Sequence, residues 1–552
     1  MRRMRWLWGG LAGGFTALTV VALAYLGNRL AGLPFIPFDL FDLMARILPG
    51  RLVIATIELM VKVLDLLRLG PTSVVAKQAE QAIAVVQFLL GGVVLGLLLI
   101  WLGRRFGGRV GLTAGVVLWI AALLVEAGLG FSAAGFGSST SLFSVIWLGI
   151  LMVGWGAVLV RLVGETALET VAVPDEQQAP TPAVQPAQTQ GGLSRRQFLY
   201  LVGTGSFVAW VSALGVSLTS ESSGTSAETQ PTPVPPGSVE TSGSAKSPPQ
   251  AELEARFAPV PGTRPELTST ADFYRIDINT VPPQVDGKTW QLKLDGMVDH
   301  PLTLSLEDLR AMPAVSQAIT LECISNPIGG DLTSTAVFTG VPFKLVLQQA
   351  GVQAGAQAVD MQAVDGFYES VPMAEAMDER TLLVYAMNGE PLPAGHGYPL
   401  RIYIPNHFGM KQPKWIQSMT VVAQPQIGYW VQRGWSEQAI VKTTSVIDAV
   451  DTQGNSQTKV VPVGGIAYAG ARGISKVEVQ VDNGEWQEAE LRDPPLSPLT
   501  WVQWRFLWNA SPGRHQFSVR CYDGDGKLQD GTPADTFPDG ATGYDQKSAI
   551  IV

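Results

Sequence analysis

Five apolar stretches occupy most of the first 218 residues, at positions 7–26, 82–102, 112–129, 142–162 and 198–218. A helix needs about 20 apolar residues to cross the hydrocarbon core of a bilayer, and lipid offers no partner for an unpaired backbone amide. The stretches therefore predict helices, and so an α-helical membrane bundle of four spans over residues 1–172 with a fifth after a break. Residues 51–69 differ, because Glu58, Lys62, Asp65 and Arg68 recur among Leu, Ile and Val. That pattern reads as an amphipathic helix, either lying in the membrane interface or packed on the bundle.

Basic residues orient the bundle. Arg2, Arg3 and Arg5 precede the first span, Arg104, Arg105 and Arg109 lie between the second and third, and Arg161 ends the fourth. Five spans put all of them on one side, which the positive-inside rule makes cytoplasmic. The chain beyond the fifth span is then extracytoplasmic, in a multi-pass protein of the cell membrane. Between the fourth and fifth spans, residues 173–193 are rich in Pro, Gln, Ala and Thr, the composition of a linker. Arg195 and Arg196, with Phe198 and Leu199 after them, then resemble a twin-arginine export motif at 194–218, although a paired-Arg anchor for the span reads the same way. A domain exported by that route crosses already folded, with any cofactor in place.

The charge balance changes sign along the chain. Residues 1–218 hold 15 Lys/Arg against 10 Asp/Glu, and residues 219–552 hold 23 against 37. An acidic soluble part lacks the basic footprint that phosphate backbones require, so nucleic acid is excluded as a partner. Residues 219–265 are Ser-, Thr-, Pro- and Gly-rich and predict a flexible tether. Beyond it, alternating stretches at 273–278 and 290–296 predict strands, Ser305 predicts the cap of a helix over 304–310, and Pro342 opens another short helix. Residues 266–435 thus predict an α+β domain. Residues 436–552, with strands at 476–481 and 515–520 and an Asp482-Asn483-Gly484 turn, predict a β-sandwich.

Cys323 is one of two cysteines and ends an apolar run before Ser325, Asn326, Pro327, Gly329 and Gly330. A thiolate at such a turn suits a transition metal, although a lone Cys is also a common small hydrophobe of a core. Five segments come after it, at 338–342, 365–372, 388–393, 396–401 and 414–416. In this order they resemble the sulfite oxidase family of molybdenum enzymes, over roughly residues 265–425. Behind the α-helical membrane bundle that the apolar stretches predict, the resemblance implies an α+β sulfite-oxidase-like molybdopterin domain and a C-terminal immunoglobulin-like β-sandwich. It implies a molybdenum–molybdopterin cofactor, with Cys323 as metal ligand and catalytic centre. Arg401 and Lys414 would hold the anionic cofactor, His396 would hydrogen-bond it, and Gln412, Tyr274 and Arg275 would complete its pocket.

Two departures from the family bear on substrate. Pro327 and Ile328 stand where sulfite-oxidising members carry arginines, and Trp435 stands in place of a pocket Tyr. The resemblance therefore implies oxygen-atom transfer on a small molecule other than sulfite. The four histidines, His300, His396, His407 and His515, all lie outside the apolar stretches, so no haem is expected in this chain. Electrons would pass to or from a separate protein partner or a quinone, and the C-terminal domain would allow a homodimer. Cys521 reads as a buried, inert residue of a strand. A binding or scaffold protein that kept the fold without turnover is the alternative reading.

Overall fold

The computed structural model describes residues 2–53, 55–56, 59, 72–106, 110–129, 140–168, 257–452 and 460–551. The paired arginines, the fifth apolar stretch, the linker at 173–193 and most of residues 51–69 and 219–265 lie outside the described residues. The described chain forms two compact units, one helical and one β-rich.

The helical unit holds α1 (Arg2–Ala31), α2 (Ile36–Ile47), α3 (Thr72–Phe106), α4 (Val110–Gly128) and α5 (Thr140–Leu168). Among the described residues, three segments, Trp6–Ala31, Val74–Leu102 and Leu142–Leu162, are long and apolar enough to cross a membrane. The expected span at 112–129 is a helix, but its apolar part, Thr113–Gly128, is shorter than the other three. Glycines set how closely these helices approach. Gly9 and Gly13 on α1 meet Gly92 and Gly96 on α3, and a Cβ added at Gly13 or Gly96 would overlap the carbonyl oxygen of Gly92 or Gly9. Small residues four apart leave one smooth face on each helix, which is how helices gain packing where lipid removes the hydrophobic drive. A polar contact joins them: Trp155 Nε1 donates to Thr16 Oγ1 at 2.9 Å, and Phe88 stacks on the same indole.

The β-rich unit begins with two five-stranded sheets. The first is built from β1 (Gln291–Gly296) and β2 (Leu302–Ser305), with later strands added below. The capping box of Ser305 and Asp308 starts the short helix Leu306–Ala311, and the chain then enters β3 (Val315–Glu322) and β4 (Thr333–Pro342). Beyond helix Phe343–Ala350 come β5 (Ala358–Ala363), β6 (Tyr368–Pro372), β7 (Leu382–Met387), β8 (Glu390–Pro391), β9 (Arg401–Tyr403) and β10 (Ile416–Val422). The first sheet has the order β2-β1-β10-β5-β6 and the second β3-β4-β7-β8, with β9 also on β7.

Side-chain alternation along the second sheet explains where the site lies. Leu383 and Tyr385 of β7 point into the core shared with the first sheet, while Leu382 and Val384 point the other way, to Phe273, Tyr274, Leu321 and Cys323. β7, in the middle of the second sheet, is buried on both faces and accordingly reads Leu-Leu-Val-Tyr-Ala-Met, a continuous apolar run. The expected strand at 273–278 is not one. Phe273 and Tyr274 are buried on this outer face, and the Tyr274 amide donates to the Ser334 hydroxyl at 3.1 Å instead of to a ladder.

Two four-stranded sheets complete the unit. β11 (Thr444–Val450), β12 (Val460–Tyr468), β15 (Glu490–Leu491) and β16 (Val502–Asn509) form one, in the order β11-β12-β16-β15. β13 (Ile474–Val481), β14 (Gln487–Glu488), β17 (Gly513–Asp523) and β18 (Asp545–Ile551) form the other, in the order β14-β13-β17-β18. Trp504, Phe517, Val463 and Val479 fill the space between them, so the expected sandwich is present. Asp482 and Asn483 take the positive φ values that the turn after β13 requires. Cys521 is buried in this core and Cys323 in another, both as free thiols.

The last part of the expected tether is ordered. Phe257 and Val260 are buried, Arg264 pairs with Asp448 at 2.9 Å, and Gln503 Nε2 donates to the Arg264 carbonyl at 2.7 Å. Two apolar side chains and one ion pair override the polar composition around them. Strand β3 is joined to the sandwich through Thr320, whose carbonyl accepts from the Tyr468 hydroxyl at 2.8 Å and whose Oγ1 accepts from the Trp501 amide at 2.9 Å.

Candidate cofactor-binding site

A cavity opens on the outer face of the second sheet. Tyr274, Cys323, His396, Arg401, Gln412 and Lys414 all line it, with Phe273, Ile276, Leu321, Gly409 and Met410 between them. Four separate stretches of chain bring these residues together. Cys323 comes directly after the last residue of β3, Arg401 begins β9, and His396 ends the 3₁₀ turn Ala394–His396. Gln412 comes directly after the 3₁₀ turn Gly409–Lys411, and Lys414 precedes Trp415, a non-glycine residue at φ 53°.

Glycine leaves space at two of these turns. Gly397 has φ 110°, and a Cβ there would press to 3.1 Å on the Cβ atoms of both Arg401 and Lys414. At Gly409 a Cβ would lie 2.9 Å from the Tyr274 hydroxyl. Trp415 is 1% exposed and its Nε1 donates to the Ala394 carbonyl at 2.7 Å, so the left-handed backbone at this motif is held by packing. The Lys414 ammonium lies 4.4 Å from the same ring centroid.

The expected contact that falls outside the cavity lining is Arg275. Its guanidinium turns to Asp277, at 2.8 Å, and Asp277 also receives the Lys414 ammonium at 3.2 Å. Asp277 is absent from the reading of the sequence. Its signal was the i, i+2 spacing from Arg275 in an extended segment, which puts both side chains on one side. Trp435 and Tyr429 pack in neighbouring cores away from this cavity, Trp435 edge-on to Phe537 and Tyr429 under the Arg433 guanidinium. Pro327 and Ile328 line a different cavity.

Electrostatics show what the cavity lacks. Arg401 is pushed down to about 10 by burial, and Lys414 to about 8 by burial and by Arg401 and Arg275 beside it, with Asp277 opposing. His396 is pushed down to about 3, by burial first and then by Lys414 and Arg401, so its imidazole is neutral. Among the described residues, Arg275, Arg401 and Lys414 converge with Asp277 as the one carboxylate paired with them, so the site is short of negative charge. A buried acceptor, Gln412 Oε1, also has no partner. Burial raises the Cys323 thiol, with the Ser325 hydroxyl at 3.1 Å partly opposing, and a soft metal would displace that proton on binding.

These features fit an anionic cofactor carrying a thiophilic metal. Arg401 and Lys414 would neutralise its charge, neutral His396 would hydrogen-bond it, and Cys323 would ligate its metal. A molybdenum–pterin centre would supply two-electron oxygen-atom chemistry, and this chain would supply the thiolate and the positive charge that hold it.

Comparison with known proteins agrees with the geometry. The model of the oxidoreductase molybdopterin binding domain matches residues 278–430. The uncharacterized oxidoreductase YuiH of Bacillus subtilis is 32% identical over 171 residues, covering 31% of this chain and 84% of that protein. Sulfite oxidase of Arabidopsis thaliana is 27% identical over 273 residues, covering 40% of this chain and 70% of its own length. This chain belongs to the sulfite oxidase family of molybdopterin oxidoreductases. A further relative, the putative protein-methionine-sulfoxide reductase subunit YedZ1 of Azospira oryzae, is 30% identical over 153 residues. The chain spans 56% of that protein and 28% of itself is matched.

His396 gives this family member a measurable pH signature. An unfolded His takes its proton near pH 6.5, whereas the folded one resists until about pH 3. Across that window the unfolded state binds more protons, so stability rises with pH and falls as the solution is acidified. Cofactor-free protein is expected to lose on the order of 4 kcal/mol between those limits through this residue. His396→Gln should remove about one proton from the slope of stability against pH, measured by denaturant titration. An unchanged slope would show that His396 is solvated.

Proposed function

We propose that this chain is a membrane-anchored molybdenum oxidoreductase that performs oxygen-atom transfer on a small molecule outside the cytoplasm. The observation that carries the reading is the convergence of Tyr274, Cys323, His396, Arg401, Gln412 and Lys414 on one cation-rich cavity. Membrane attachment rests on the three long apolar helices. The extracytoplasmic side rests on the distribution of Arg and on the paired Arg195 and Arg196. We assign the C-terminal sandwich to the immunoglobulin-like class, with a homodimer as the assembly it would support. A separate redox protein or a quinone is the electron partner in this reading.

Sulfite is disfavoured as substrate. Pro327 and Ile328 offer no cation to an anionic substrate, and neither residue lines the Cys323 cavity. The relative from Azospira oryzae is named for protein-methionine-sulfoxide reduction, which puts sulfoxides first among the classes to test. The test uses full-length protein purified in detergent and assayed with reduced or oxidised dye against sulfoxides, N-oxides and sulfite. Bound molybdenum near one atom per chain and turnover of a sulfoxide or N-oxide well above sulfite are expected. Absence of molybdenum would sink the cofactor assignment, and faster turnover of sulfite would sink the substrate assignment.

A further inference from the structure

A thiol that becomes a metal ligand changes its hydrogen-bonding role. As a free thiol, Cys323 can donate to the Ser325 hydroxyl or accept from it, and the two heavy atoms stand 3.1 Å apart. When the sulfur takes a metal, its S–H bond breaks as the S–metal bond forms, and the proton leaves to water. The sulfur then has no hydrogen to give. A hydroxyl keeps one donor and two acceptor lone pairs, so the Ser325 O–H is left as the donor and the sulfur as the acceptor. Among the described residues, Ser325 is the one side-chain hydrogen-bond partner of this sulfur, and its backbone amide hydrogen-bonds the same atom.

The turn holds that geometry without help from the serine side chain. Ile324, on one side, is 4% exposed and packs in a core with Trp435, Tyr468 and Trp501. Asn326, on the other, donates its amide to the Cys323 carbonyl at 3.0 Å and its Nδ2 to Glu322 at 2.9 Å. Its Oδ1 accepts from the Leu332 amide at 2.9 Å. Ser325 is half-buried between two fixed residues, so the backbone brings its hydroxyl to the sulfur. A hydrogen bond to a ligating sulfur draws off electron density that the sulfur would otherwise give to the metal, and such bonds help set the potentials of thiolate-held centres. We propose that Ser325 is a positioning residue acting through Cys323: its hydroxyl donates to the ligating sulfur and holds the potential of the bound metal above the value that an unassisted thiolate would give. The inference rests on the reading of Cys323 as the metal ligand.

The test compares full-length wild-type protein, Ser325→Ala and Ser325→Thr, each purified in detergent with its metal. Three quantities are read: molybdenum content, the midpoint potential of the metal's one-electron couple, and the wavelength of the sulfur-to-metal absorption band. Ser325→Ala keeps the turn and the amide contact and should load metal as the wild type does. At the wild-type midpoint its oxidised-to-reduced ratio should rise at least fivefold, a fall in potential of about 40 mV at about 59 mV per tenfold for one electron. Its band should move to longer wavelength, because a sulfur freed of the hydroxyl gives up electron density more readily. Ser325→Thr retains a hydroxyl and should restore both values. An unchanged potential and band in Ser325→Ala, or Ser325→Thr behaving as Ser325→Ala does, would overturn the inference and leave Cys323 a ligand. Failure of Ser325→Ala alone to load metal would show a structural role and overturn it as well. Wild-type protein without molybdenum would overturn the proposed function and this inference together.

Discussion

Cys323→Ser is expected to lower turnover by more than ~10²-fold, beyond the 10–100-fold losses that changes behind a metal's ligands produce. The thiol stands on the cavity wall at the end of β3, 8% exposed, and a hydroxyl is a poor substitute for a soft sulfur ligand. The strand should survive. Cys323 donates its backbone amide to the Leu332 carbonyl at 2.9 Å, which does not depend on the side chain, and a hydroxyl can face Ser325 as the thiol does at 3.1 Å. Purified variant protein should therefore show wild-type melting without cofactor, and should lose the thiolate-dependent visible absorption of the bound metal. Retention of that absorption would show that another group ligates the metal.

Much of this site was legible in the sequence because its residues sit in short motifs of recognisable composition and order. The turn after Cys323 carries Asn326, Pro327 and Gly329, and Gly397 permits the close approach of Arg401 and Lys414. What the sequence withheld was whatever depended on packing between distant segments. Residues 273–278 alternate like a strand, yet they pair with no ladder; Phe273 packs edge-on against Phe338 and His396 and stacks on Tyr274 instead. Residues 257–265 have a linker's composition and are fixed by partners nearly 200 residues or more away, Asp448 and Gln503. Asp277 escaped notice for a related reason, since a carboxylate earns its role only when Lys414 is folded against it.

A second large effect lies behind the cavity. Lys411 sits between Met410 and Gln412, both lining residues, but its own side chain points away, to Glu369 on β6 at 2.6 Å. The two side chains are 8% and 1% exposed, so this is a buried ion pair that fixes the turn Gly409–Lys411 to the first sheet. Breaking one partner leaves a charge in a medium that cannot solvate it, at about 3–5 kcal/mol. Lys411→Met should therefore destabilise the β-rich unit by about that much in denaturant titration. Glu369→Leu in the same chain should recover most of the loss, because an apolar pair of similar size removes the stranded charge. Acid gives an independent check. Burial already raises Glu369, and Lys411 is the main force holding it down. Without Lys411 the folded carboxyl binds its proton at a higher pH than the unfolded one, so the single variant should regain stability as pH falls through that range. A loss below about 1 kcal/mol, the scale of a solvent-screened surface pair, would mean that water reaches Glu369 and that the turn is held by its backbone alone.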